Sequence, residues 1–137
     1  LIEKYYSNRL GTIYICVEPG GRRSSYIEMI EEDWQKASSV DRKVTNLVKV
    51  RWESLRSTNS YGTVSGQSNN QQHLFYVKDT GITNIRVPFY FYSNESLIIL
   101  FSFKKKDKKQ ENKLFGQAEK LQLKINKWVE DHDFPST

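Results

Sequence analysis

The chain is 137 residues long with 37% hydrophobic and 13% aromatic residues, enough for one domain with its own core (1–137) and too apolar for a disordered chain. It carries 21 basic against 16 acidic side chains, a formal charge of +5 and an isoelectric point near 9.3, which favours polyanions as partners. A single cysteine, Cys16, excludes an internal disulfide, and with only His73 and His132 beside it a dedicated metal site is not expected; no cofactor is implied.

No apolar run approaches the roughly 20 residues of a membrane span. The first ten residues, LIEKYYSNRL, lack the basic-then-apolar order of a signal peptide. The expectation is a soluble, cytoplasmic protein with no membrane partner.

The first strand signal is TIYICV at 12–17, β-branched and aromatic, running into the breaker PGG at 19–21. Ser25 with Glu28 forms a capping box, and Ile27, Ile30, Trp34 and Ala37 recur at helical spacing. Ser38 and Ser39 break that helix, Asp41 caps another, and Val44, Leu47, Val48, Arg51 and Leu55 trace its inner face, making a helical hairpin. From Ser57 to Gln72 the chain reads as a long polar loop in which Tyr61 and Val64 are the sizeable hydrophobes. Three strands follow, HLFYVK at 73–78, NIRVPFYFY at 84–92 and SLIILFSF at 96–103, separated by DTG and SNE turns. Pro88 lies inside the second of them, so an edge position or a bulge is expected there. Leu114, Ala118, Leu121, Ile125 and Trp128 then mark an amphipathic C-terminal helix. The expected fold is α+β, in the order β-α-α-β-β-β-α, with the helical hairpin packed on a mostly antiparallel four-stranded sheet.

The charge excess is concentrated. Five lysines stand within six positions, Lys104 to Lys109, directly after an apolar strand. Such a run is either a solvated strand end that discourages aggregation or a place where an anion sits. If Tyr92 pairs with Ser96, Arg86 lies opposite Ser102 and diagonal to Lys104, a cationic patch on one face of the sheet. RNA is cleaved without metal when a base takes the 2′-hydroxyl proton, an acid protonates the leaving oxygen and cations stabilise the phosphorane. Crowded like charges disfavour protonation of lysine and move it towards use as a base, while arginine keeps its charge and its planar donor fork. His73 reads as a strand-end or loop histidine before a general base, and Tyr90 and Tyr92 as sheet packing before stacking on nucleobases.

The stretch IRVPFYFYSNESLIILFSFKKKDKKQENKLFGQAEKL resembles the RelE/HigB superfamily of bacterial toxins, most closely its phage-derived HigB-like branch. LFYVK at 74–78, IRVPF at 85–89 and FKKKDKKQE at 103–111 fall on that branch's three strand motifs, and Ala118 on its alanine-containing helix. The resemblance implies an endoribonuclease that cuts mRNA on the translating ribosome and is neutralised by a cognate antitoxin of helix-turn-helix type. It places Arg86, Lys105, Lys106 and Lys78 in the catalytic positions; separately, Lys104, Lys108, Lys109, Arg51 and Tyr90 are expected to hold the RNA. Strand register favours Lys104 beside Arg86, whereas the family pattern favours Lys105 and Lys106. The family's first-motif glutamate is Tyr76 here, an aliphatic position is Pro88, and the closing proline is Glu111. A non-catalytic nucleic-acid or ribosome binder, or a gyrase inhibitor like the ParE toxins, is the alternative.

Overall fold

Segments of alternating β-branched and aromatic residues pair into one sheet wherever each has a neighbour to take its backbone hydrogen bonds. The computed structural model describes residues 2–9, 11–16, 61–64, 73–77, 85–93, 95–101 and 103–132. They form strands β1 (Ile2–Asn8), β2 (Gly11–Cys16), β3 (Tyr61–Thr63), β4 (Leu74–Val77), β5 (Ile85–Ser93), β6 (Ser96–Ile99) and β7 (Phe103–Lys104), and the helix α1 (Lys108–Asp131). The strands make a mixed seven-stranded sheet in the order β1-β2-β6-β5-β4-β3, with β7 also pairing β5. The β2–β6 pair is parallel and all others are antiparallel.

This corrects the expected architecture of a four-stranded sheet in a β-α-α-β-β-β-α order. Two added strands are the sheet's edges. β1 is interrupted by Glu3 and Lys4, charges that hide its apolar pattern and are normal on an edge strand. β3 lies within the stretch expected to be loop; it is held by backbone pairing to β4 and by the bond from Val64 N–H to the Leu74 carbonyl, 2.9 Å. A strand maintained by backbone bonds needs no side-chain periodicity, so sequence pattern passes over it. The helical hairpin expected within 25–56 lies outside the described residues.

β6 is buried along its whole length between β2 and β5. The pairing registers place Tyr14, Leu74, Tyr76, Arg86, Pro88, Tyr90 and Ile98 on one face of the sheet. That face receives α1: the Tyr76 and Phe115 ring centroids are 4.9 Å apart, and the Tyr90 hydroxyl donates to Asn126 Oδ1 at 2.8 Å. The opposite face, with Ile13, Ile15, Phe75, Val87, Phe89, Leu97 and Ile99, is buried as well.

The stripe of α1 that reaches the sheet is Glu111, Phe115, Ala118, Gln122, Ile125 and Val129. It shares Ala118 and Ile125 with the expected stripe, while Leu114, Leu121 and Trp128 pack only partly against the core. The helix is therefore rotated from the purely apolar solution, and two polar side chains, Glu111 and Gln122, go inward. It also begins earlier than Leu114. Asp107 caps it by accepting from the Gln110 N–H at 2.8 Å.

Burial of the Tyr90 phenol, with Tyr92 and Cys16 nearby, pushes its pKa far above the ordinary value of 10.0. The folded state therefore favours the neutral phenol, whereas the unfolded chain ionises near pH 10. The contribution is complete below about pH 10 and falls above it, at up to about 1.4 kcal/mol per pH unit from this group. Urea unfolding between pH 8 and pH 11 is expected to give a steep alkaline loss that Tyr90→Phe flattens, with about 1 kcal/mol lost at neutral pH from the missing hydroxyl bond. Equal alkaline slopes in the two proteins would refute the assignment.

Candidate nucleic-acid interface at the β7–α1 corner

The site begins with a missing hydrogen. In an antiparallel strand the N–H and C=O of a residue point to the same neighbour. The Pro88 carbonyl accepts from Leu100 N–H at 3.0 Å, so its nitrogen, which has no hydrogen, faces the same strand and the reciprocal bond cannot form. The ladder stops there. Before this point the pairs Phe91↔Leu97, Tyr90↔Ile98 and Phe89↔Ile99 keep the expected register, although Ser96 itself pairs with Ser93 across a bulge and not with the expected Tyr92; after it β7 resumes one residue later, with Arg86↔Phe103 and Ile85↔Lys104.

A one-residue slip reverses which face each side chain takes. Arg86 thus lies opposite Phe103, where Ser102 was expected, and Phe103 turns to the helix, 5.6 Å from the Phe115 ring. Lys104 is opposite Ile85 and exposed. Lys105 comes round to the side of Arg86.

The two cations meet on one carboxylate. Arg86 Nε donates to Glu111 Oε2 at 3.2 Å, and Lys105 Nζ stands 3.8 Å from the same oxygen. The carboxylate is nearly enclosed, with 8% of the Glu111 side chain exposed against 15% for Arg86 and 32% for Lys105. The guanidinium carbon lies 5.9 Å from the centre of the Tyr76 ring. Tyr76 in turn lies opposite Gly62 in β3, where any Cβ would run into its ring, so glycine there leaves the aromatic room beside Arg86.

Gln110 fixes the backbone between strand and helix. Its amide donates from Nε2 to the Lys104 carbonyl at 3.2 Å and accepts at Oε1 from the Lys106 N–H at 2.7 Å. One side chain thus pairs with the residues on either side of Lys105. The lysine run is a held segment, with Lys104, Lys106, Lys108 and Lys109 exposed around the partly enclosed Lys105.

Of the residues expected to be catalytic, Arg86 and Lys105 are brought together. Lys106 is adjacent and exposed, and Lys78 lies outside the described residues. Of those expected to hold RNA, Lys104, Lys108 and Lys109 surround the corner and Arg51 lies outside the described residues. Tyr90 is corrected: it is fully buried, with its hydroxyl bonded to Asn126, and presents no ring face to a nucleobase. His73 is exposed at the start of β4 beside Phe75, and His132 stacks on Trp128 at the far end of α1. Sequence reasoning missed Glu111. Its signal was present, since Glu111, Phe115 and Ala118 have the spacing of a helix face, but a stripe starting at an acid looks poorer than one starting at Leu114.

The chain matches no protein-family model, and comparisons with curated proteins and with solved structures give no significant match. No helix among the described residues is long and apolar enough to cross a membrane.

Glu111→Ala would remove the carboxylate that lies between a mostly buried guanidinium and an ammonium. A loss of about 2–3 kcal/mol in urea unfolding is expected, less than breaking a fully buried ion pair, because Lys105 retains solvent. A loss below about 0.5 kcal/mol would mean that the three charges are solvated independently.

Proposed function

We propose that the β7–α1 corner holds an RNA phosphodiester and that the chain is a metal-independent endoribonuclease toxin, acting on mRNA at the translating ribosome and restrained by a cognate antitoxin. The observation that carries this is the convergence of Arg86 and Lys105 on the enclosed carboxylate of Glu111, at the head of an exposed lysine run. These groups match what the reaction requires. A carboxylate takes the proton of the 2′-hydroxyl; the 2′-oxygen attacks phosphorus; the bond to the 5′-oxygen breaks and that oxygen receives a proton from an ammonium. The products are a 2′,3′-cyclic phosphate and a 5′-hydroxyl. The guanidinium stabilises the extra charge on the phosphorane. Glu111 is assigned as proton acceptor, Lys105 as donor and Arg86 as the phosphate ligand. The motif similarity over IRVPF and FKKKDKKQE supports the same choice of substrate.

A second reading, an RNA binder that does not cut, is favoured by one observation: Glu111 already compensates Arg86 and Lys105, as a purely structural ion pair would. The two part in 5′-end mapping of a defined mRNA in a purified translation system, with and without ribosomes. Cleavage by the wild type during translation, lost in folded Arg86→Ala and Glu111→Gln by about 100-fold or more, is the expected result. Intact mRNA with the protein bound would select the binder; DNA breaks with intact mRNA would point to gyrase.

A further inference from the structure

The outward face of α1 carries a second basic feature. Lys109, Lys113, Lys120, Lys124 and Lys127 are all exposed. At 3.6 residues per turn they fall within about 60° of one another, on the side opposite the buried stripe, over a length of about 27 Å. Lys104, Lys106 and Lys108 extend the charge at the N-terminal end, and Asp131 closes it at the other. Between Lys109 and Lys127 the acidic residues are Glu111, which is buried beneath, and Glu119, which is half-buried about 100° away. None of the five lysines forms an ion pair with a described residue.

A helix face selected for stability alternates signs at i,i+4, each pair contributing about 0.2–0.5 kcal/mol. Here Lys109/Lys113 and Lys120/Lys124 are like-charged i,i+4 pairs and Lys124/Lys127 an i,i+3 pair, all repulsive. A linear polyanion relieves that repulsion along the whole row. A membrane surface fits poorly, because the apolar face of α1 is turned to the sheet and Leu123 is the large hydrophobic side chain left exposed. Lysines provide point charges without the planar fork of arginine, which suits backbone contact without base readout.

We propose that this ridge is a docking surface for the phosphate backbone of double-helical RNA, separate from the Arg86–Lys105–Glu111 corner; the choice of RNA over DNA rests on the function proposed above. It would position the protein on a structured RNA while the corner engages a single strand.

The test is fluorescence anisotropy of a labelled 20-base-pair RNA duplex of mixed sequence with the full chain, from 50 to 300 mM KCl. Wild type is compared with the triple variant Lys120→Gln, Lys124→Gln, Lys127→Gln and with Lys4→Gln. The triple variant is expected to reduce the slope of log affinity against log salt by about 2–3, roughly one per lost phosphate contact. Lys4→Gln, at an exposed position of β1 away from both surfaces, is expected to keep the wild-type slope. The replaced side chains are exposed, so circular dichroism melting is expected to match the wild type. An unchanged slope in the folded triple variant overturns the proposal. So does tighter, equally lysine-dependent binding to phosphatidylserine vesicles or polyglutamate, which would assign the ridge to a membrane or an acidic protein. A changed slope with uncut mRNA in the mapping experiment supports the ridge while removing the nuclease, so the two proposals fail separately.

Discussion

The corner depends on one absent donor. Pro88 sits in a central strand, where a missing N–H normally leaves a carbonyl unpaired. The chain accommodates it by ending β6 at that point and resuming as β7 one residue out of register. The same slip carries Phe103 into the contact with Phe115 and brings Lys105 to the side of Arg86. A strand that continued without interruption would have put Lys104 there.

The slip alone does not hold a lysine beside an arginine, since like charges would drive the flexible chain apart. Two features of the helix start do. Gln110 ties the backbone on both sides of Lys105, and Glu111 supplies the anion between the cations. Both belong to the first turn of α1, whose cap at Asp107 and anchors at Phe115 and Ala118 are set by packing on the sheet. The site is therefore a property of where the helix begins. A different rotation of α1, with Leu114 and Leu121 inward, would bury more hydrocarbon and remove Glu111 from Arg86.

What was legible in the sequence follows from the same physics. β2, β4, β5 and β6 are apolar runs bounded by turns and were placed to within a few residues, because burial on one or both faces forces their composition. The edges β1 and β3 were not, since charge and polarity conceal strands held by backbone bonds. Pro88 announced a break in the ladder, and its direction followed only from the pairing. Simple alternation put Lys104 on the side of Arg86, and the one-residue slip puts Lys105 there instead. Tyr90 shows the opposite limit: aromatic composition does not distinguish a ring facing solvent from one packed under a helix. Glu111 escaped because a buried acid is rarely assumed without a partner in sight, and its partners stand 25 residues earlier and on the lysine run.

The distribution of charge along α1 argues that stability is not what shaped it. Lysines at positions 108 and 109 face the positive end of the helix macrodipole, an orientation that costs about 0.3–1 kcal/mol for each well-aligned charge. Those further along repel one another across successive turns. Asp107 and Glu111 offset part of this at the helix start, but both are already committed, one to the cap and one to Arg86 and Lys105. What remains is a row of exposed cations without an ion pair to a described residue. A single bound phosphate would answer only the first turn, whereas the row continues to Lys127, which is why the proposed occupant is an extended anion.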